Sequence, residues 1–182
     1  MRIIAGSARG RAIKAPAGDS VRPTTDRVKE ALFNILQFRL AGARVLDLFA
    51  GSGNLGLEAL SRGAAKAVFV ERDMKTLALL RENVQHLGLG ERSEVMAGDF
   101  AAALPRLSNR SFDLILADPP YAGGFYPGVL DGAQSLLAEE GLLVLEHDGT
   151  YRAPEVSGGL VRVDERKYGR VYLSFYQRAV QL

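Results

Sequence analysis

Val45-Leu46-Asp47-Leu48-Phe49-Ala50-Gly51-Ser52-Gly53-Asn54-Leu55-Gly56 is the stretch that decides the fold of this 182-residue chain. It opens as an apolar run, breaks at a glycine-rich turn and resumes with a helical pattern, which reads as a buried strand feeding a helix. A regular alternation follows. Strands are predicted at residues 44–49, 67–71, 93–97, 112–117 and 141–147, with helices at 54–62, 73–87, 100–107 and 124–138. Such alternation through short connections predicts an α/β fold, a mostly parallel sheet with helices on both faces. Upstream, Thr24-Thr25-Asp26 offers an N-cap for a helix whose apolar stripe is Val28, Ala31, Leu32, Ile35 and Leu36. Residues 2–14, with Gly6-Ser7-Ala8-Arg9-Gly10 at their centre, predict a β-hairpin, and residues 15–19 a loop. Downstream, 152–159 reads as a loop. Strands at 160–167 and 170–177, joined at Tyr168-Gly169, predict an antiparallel end to the sheet. The length fits one domain, residues 1–182, with 1–20 as an N-terminal hairpin extension and loop.

The composition removes whole classes of chemistry. With no cysteine, disulfides, thiolate zinc sites and Cys nucleophiles are excluded. With His86 and His147 as the only histidines, no metal site is expected. No apolar run approaches the ~18 residues of a membrane span. The opening Met1-Arg2-Ile3-Ile4-Ala5-Gly6 is too short in apolar content for a signal peptide. A cytoplasmic, membrane-free protein is the expectation. The net charge of +2 is unevenly spread: residues 1–29 carry +5 and residues 162–178 carry +3, so the remainder carries −6. Basic ends around an acidic body suggest a polyanion that touches the termini. A merely solvated surface gives the same numbers.

Gly51-Ser52-Gly53-Asn54-Leu55-Gly56 matches G-x-G-x-x-G, and Glu71 lies some 20 residues on. Alone this points to a dinucleotide. Asp47, four residues before Gly51, argues otherwise, because a carboxylate there would repel a pyrophosphate at the helix N-terminus. S-adenosylmethionine reverses the sign, since its amino group and its sulfonium are cationic. Glu71 can then accept from both ribose hydroxyls. Asp99 can take the adenine amine, with Phe100 packing on the ring. Three acids at three successive strand ends line the edge where open α/β sheets bind ligands. The alternative is that the glycines only turn the chain and the acids only cap helices.

Asp118-Pro119-Pro120-Tyr121 follows the apolar run at 112–117. Pro120 lacks an N–H and restrains Pro119 to extended geometry, so the turn is stiff. It would hold one carboxylate, one backbone carbonyl and an aromatic face together. That set suits a flat ring bearing an NH₂ group: the two oxygens accept its hydrogens and Tyr121 stacks on the base.

The series Val45 to Gly53, Glu71, Asp99 and Asp118 to Tyr121 resembles class I S-adenosylmethionine-dependent methyltransferases acting on exocyclic amines. Arg22-Pro23-Thr24-Thr25-Asp26-Arg27-Val28-Lys29-Glu30-Ala31-Leu32-Phe33-Asn34-Ile35-Leu36 narrows the likeness. So do the opening Arg2-Ile3-Ile4-Ala5-Gly6 with Arg9-Gly10-Arg11, and Lys167-Tyr168-Gly169 with Ser174-Phe175-Tyr176. Together they are similar to the bacterial small-subunit rRNA guanine-N2 methyltransferases of the RsmD type, over essentially the whole chain. Arg170 departs from the acidic or polar residue expected after Gly169.

The resemblance implies a Rossmann-like, seven-stranded sheet with an antiparallel last strand, and methyl transfer to guanine N2 in 16S rRNA. The substrate would be met within a 30S subunit or an assembly intermediate, by a monomer. It further implies that Asp118, the Pro119 carbonyl and Tyr121 hold the target base. Asp47, Phe49, Gly51, Gly53, Glu71, Asp99 and Phe100 would hold the cofactor, with Thr25 or Arg27 reaching its carboxylate. Arg9, Arg11 and Lys14 of the hairpin would contact RNA phosphates. Rival readings are a dehydrogenase using the glycine turn, a DNA adenine or protein glutamine methyltransferase, and a non-catalytic RNA-binding module.

Overall fold

The computed structural model describes residues 1–16 and 25–179. Arg22-Pro23-Thr24 of the N-terminal motif and most of the predicted 15–19 loop lie outside the described residues. In chain order the elements are α1 (Asp26–Leu36), β1 (Arg44–Asp47), α2 (Asn54–Ser61), β2 (Lys66–Glu71), α3 (Met74–His86), β3 (Ser93–Ala97), α4 (Phe100–Leu107), β4 (Phe112–Ala117), α5 (Tyr126–Leu136), β5 (Leu137–Asp148), β6 (Val156–Ser157), β7 (Leu160–Tyr168) and β8 (Val171–Arg178). The strands form one sheet in the order β3-β2-β1-β4-β5-β8-β7-β6. β1 to β5 are mutually parallel, and β8 runs antiparallel to β5 and to β7.

The strand order reverses between β1 and β4. After β1 the chain winds outward through β2 and β3, then returns to add β4 on the other side. The carboxyl ends of β1 and β4 therefore flank a crevice, the usual ligand position in an open α/β sheet.

The sheet separates two apolar layers. One packs α1, α2, α3 and the N-terminal segment against residues such as Val45, Phe69, Leu116 and Val144. The other packs α4 and α5 against Leu46, Val68, Ile115 and Leu145. Neighbouring residues of one strand fall in different layers because side chains alternate across a pleated sheet.

Three elements differ from the sequence reading. The predicted helix at 124–138 ends at Leu136, and β5 begins at Leu137, four residues ahead of the predicted 141. Leu137 pairs with Phe112, and the register shifts between Phe112 and Leu114 to restore the ladder. A pairing partner captures the end of an apolar run that reads equally as helix. Val156–Ser157, within the predicted loop, adds a two-residue edge strand beside β7, giving eight strands. The N-terminal hairpin narrows to one antiparallel bridge, Arg2 to Ala12, with Ile3 N donating to Arg11 O at 2.9 Å and Ile13 N to Met1 O at 2.9 Å. Gly10 N, Arg9 N and Arg11 N bond within the segment, and other polar groups turn to the helices beneath. Ala8 N donates to Ser61 Oγ at 3.0 Å, and Lys14 N to Asn83 Oδ1 at 2.9 Å.

Candidate active site

The turn from β1 into α2 is built by glycine. Gly53 sits at φ +94°, where a side chain is strained, and its N–H donates to Ala50 O at 2.8 Å. Gly56 lies where a Cβ would come within 2.3 Å of the Phe69 ring, so its bare backbone lets α2 press onto β2.

Asp47 does not open toward the crevice as expected. It is 1% exposed, and its Oδ2 accepts from Gly56 N at 3.0 Å. The pleat decides this: Asp47 shares a face with Val45, and that face looks at α2. Burial pushes its carboxyl up to about 7; the Gly56 and Phe49 N–H groups oppose that shift and the Glu71 charge adds to it. Asp47 thus fixes the glycine turn from beneath.

Glu71, at the end of β2, is half-buried and braces the same turn. Oε2 accepts from Gly51 N at 2.8 Å and Oε1 from Asp73 N at 2.8 Å. Each oxygen retains a lone pair for a hydroxyl. Asp99 caps α4, with Oδ1 accepting from Ala102 N at 2.8 Å, and its exposed carboxylate stands beside Phe100. Capping and ligand binding are compatible here, since the cap uses one oxygen. Phe49, Phe100 and Phe125 form a three-ring cluster with centroids 5.3, 5.8 and 6.0 Å apart, all half-buried. Open backbone at Gly51 and Gly98, where a Cβ would touch nothing within 4 Å, adjoins these groups. The donor set fits S-adenosylmethionine: carboxylates for ribose hydroxyls and an amine, negative charge for a cation, and ring edges for adenine.

Asp118 follows the last residue of β4, across the switch point from β1. Pro119 is buried and Pro120 exposed. The Tyr121 hydroxyl donates to Glu146 Oε1 at 3.2 Å. Glu146, 4% exposed on β5, thereby fixes the ring's orientation. Burial first, then the charges of Glu146 and Asp118, raise the Tyr121 phenol well above its ordinary value, so it stays a neutral hydrogen-bond donor.

Thr25 is the N-cap of α1, accepting from Val28 N at 3.3 Å, and Arg27, exposed, lies two residues further on in the first turn. The helix is tied to the glycine turn by Lys29, which is fully buried. Its Nζ donates to Arg2 O at 2.5 Å and Asn54 Oδ1 at 2.8 Å and pairs with Glu58 Oε2 at 3.4 Å. Burial lowers the Lys29 ammonium, while Glu58 opposes that shift. Glu58 also accepts from Ile4 N at 2.8 Å, Ala5 N at 3.0 Å and Arg62 at 2.7 Å. One buried knot thus joins the N-terminal segment, α1 and the turn.

Of the basic hairpin residues, Arg9 is exposed near the tip. Arg11 reaches the His86 carbonyl, and Lys14 pairs with Glu82 at 2.8 Å across an exposed surface. Those two are partly spent on holding the segment to α3.

Phe125, Glu146 and Lys29 were not singled out from sequence. Glu146 had a signal, a lone acid in the apolar run Leu142-Leu143-Val144-Leu145. Phe125, in a glycine-rich loop, had none.

The switch-point crevice, the braced glycine turn and the acid-Pro-Pro-aromatic turn define a class I methyltransferase, whose methyl donor is S-adenosylmethionine. Residues 1–177 match the family described as conserved hypothetical protein 95, and the chain belongs to that family. Ribosomal RNA small subunit methyltransferase D of Escherichia coli strain K12 is 36% identical over 183 residues, covering 100% of this chain and 91% of the relative. The protein of the same description from Haemophilus influenzae is 41% identical over 145 residues, covering 79% and 73%. The solved structure of yhhF from Escherichia coli superposes with a TM-score of 0.86 at 35% identity, covering 100% of this chain and 99% of that one.

Proposed function

We propose that this protein moves a methyl group from S-adenosylmethionine to the exocyclic N2 amine of a guanine in small-subunit 16S rRNA. The observation that carries the reading is the Asp118–Tyr121 turn at the switch point, its ring anchored by Glu146, on the same sheet edge as the carboxylates of Glu71 and Asp99. The bound cofactor supplies an electrophilic methyl on a cationic sulfur.

An aromatic amine is a weak nucleophile because its lone pair is delocalised into the ring. Asp118 and the Pro119 carbonyl, accepting its two hydrogens, favour a pyramidal nitrogen with the lone pair directed at the methyl. Position and electrostatics supply most of the acceleration. Asp118 is also the acceptor at hand for the proton that the methylated nitrogen sheds. Tyr121 holds a base turned out of its stack. Thr25 or Arg27 meets the cofactor's carboxylate, Glu71 its ribose, and Asp99 with Phe49 and Phe100 its adenine. Gly51, where a Cβ would touch nothing within 4 Å, gives it a close backbone approach, while Gly53, packed on Leu57 and Leu80, shapes the turn beneath it.

The continuous sheet supports one methyltransferase domain across residues 1–182. No helix among the described residues is long and apolar enough to cross a membrane. A monomer working in the cytoplasm on a 30S subunit or assembly intermediate completes the reading.

The test offers methyl-labelled S-adenosylmethionine with 16S rRNA, duplex DNA or a release factor as acceptor. Label on the RNA alone is expected. Label on the DNA or the protein instead overturns the reading in favour of adenine or glutamine methylation.

A further inference from the structure

The β7–β8 turn stands at the same sheet edge as the candidate site. Val171 opens β8 opposite Asp148, the last residue of β5, and pairs with Tyr168, the last of β7. Gly169 and Arg170 therefore project beyond the carboxyl ends of the parallel strands, where Asp118 also lies. At about 4.8 Å between neighbouring strands, β8 and β7 stand roughly 10 and 14 Å from β4.

Aromatic rings bridge that span. Tyr151 stacks on Tyr126 at 4.1 Å and meets His147 edge-on at 5.4 Å. His147 stacks on its cross-strand partner Tyr172 at 5.4 Å. Lys167, the partner of Tyr172 on β7, holds its ammonium 5.3 Å from that ring.

The charge along this edge is selective. Arg166 pairs with Asp164 at 2.8 Å, and Arg162 with Glu165 at 2.9 Å. Arg152, Lys167 and Arg170 are exposed and form no ion pair among the described residues. Asp148, opposite Val171 in the register, accepts from Thr150 Oγ1 at 2.6 Å and forms no ion pair with these cations among the described residues. Three uncompensated cations beside half-exposed tyrosines match a strand of phosphates carrying unpaired bases.

We propose that Arg152, Lys167 and Arg170, with the Tyr151 ring, grip the single-stranded RNA that flanks the target base. The assignment rests on the RNA reading above and adds a second contact surface, distinct from the N-terminal hairpin.

The test uses the full chain and a labelled single-stranded oligoribonucleotide, its binding followed by fluorescence anisotropy across a salt series. The double variant Lys167→Ala, Arg170→Ala should lower the magnitude of the salt slope by about 1.4, near 0.7 per lost contact. S-adenosylmethionine affinity should not change, and the KM for 16S rRNA should rise with kcat little altered. Tyr151→Leu should weaken RNA binding several-fold with the slope intact, because stacking is not counterion release. An unchanged slope in the double variant, while the wild type still methylates RNA, overturns this surface and leaves the RNA reading standing. A slope loss seen only with duplex RNA overturns the single-strand assignment. A wild type that neither binds nor methylates RNA overturns both.

Discussion

Replacing Asp47 by Asn tests how the centre of the site is wired. The buried carboxyl has its acid constant displaced from 3.8 to about 7. A folded-state value above the unfolded one means that the folded protein holds the proton more tightly. The stability this contributes is fully present below about pH 3.8 and is lost as pH rises through about 7. At about 1.4 kcal/mol per tenfold change, the full loss is about 4 kcal/mol, of which about 3 accumulates between about pH 5 and 9. Asp47→Asn removes the titration. Its Oδ1 can still accept from Gly56 N–H, but its amide nitrogen faces the Phe49 N–H, so the variant carries a constant penalty. The informative quantity is therefore the pH dependence of the difference between the two proteins. Urea unfolding from about pH 5 to 9 should show the variant gaining about 3 kcal/mol relative to wild type as pH rises. A cationic ligand close by favours the ionised form, so wild-type affinity for S-adenosylmethionine should climb through about pH 7 while that of the variant stays flatter. A stability difference that is constant with pH would refute the burial argument.

Glu71→Ala should weaken S-adenosylmethionine binding by about 1.5–3 kcal/mol by calorimetry, the range for a hydrogen bond to a charged group. It should also lower stability, because the Gly51 and Asp73 N–H groups lose their acceptor. Asp118→Ala should abolish methyl transfer yet leave cofactor affinity nearly unchanged; near-normal turnover would remove it from the target amine. Glu58→Ala strands the buried Lys29 ammonium and should cost about 3–5 kcal/mol of stability. Hydrogen exchange at the Ile4 and Ala5 amides should accelerate with it, and unchanged protection there would contradict the knot.

Much of the architecture was legible because two periodicities alternate along the chain, and strand ends in such a fold converge on one edge. Glu71, Asp99 and Asp118 could be placed there without coordinates for that reason. What the periodicity left open was facing. The run Val45-Leu46-Asp47-Leu48 is buried on both sides, so no polar face told which way Asp47 turned, and it turned to the Gly56 N–H. Leu136 and Leu137 carry the same apolar signal whether they close a helix or open a strand; pairing with Phe112 decided it. Val156–Ser157 is too short to show any period. The burial of Lys29 was hidden because its partners Asn54 and Glu58 lie far along the chain. The basic hairpin was read correctly as basic. That Arg11 and Lys14 are partly engaged with α3 depends on contacts some 70 residues away in sequence.

The most direct measurement is the chemical identity of the product. Small-subunit rRNA incubated with the protein and S-adenosylmethionine is digested to nucleosides and resolved by mass spectrometry against standards. The account predicts N2-methylguanosine, at a single position, with none formed by Asp118→Ala. Methylation on adenine N6, on a ring nitrogen or on ribose, or undiminished product from Asp118→Ala, would contradict it.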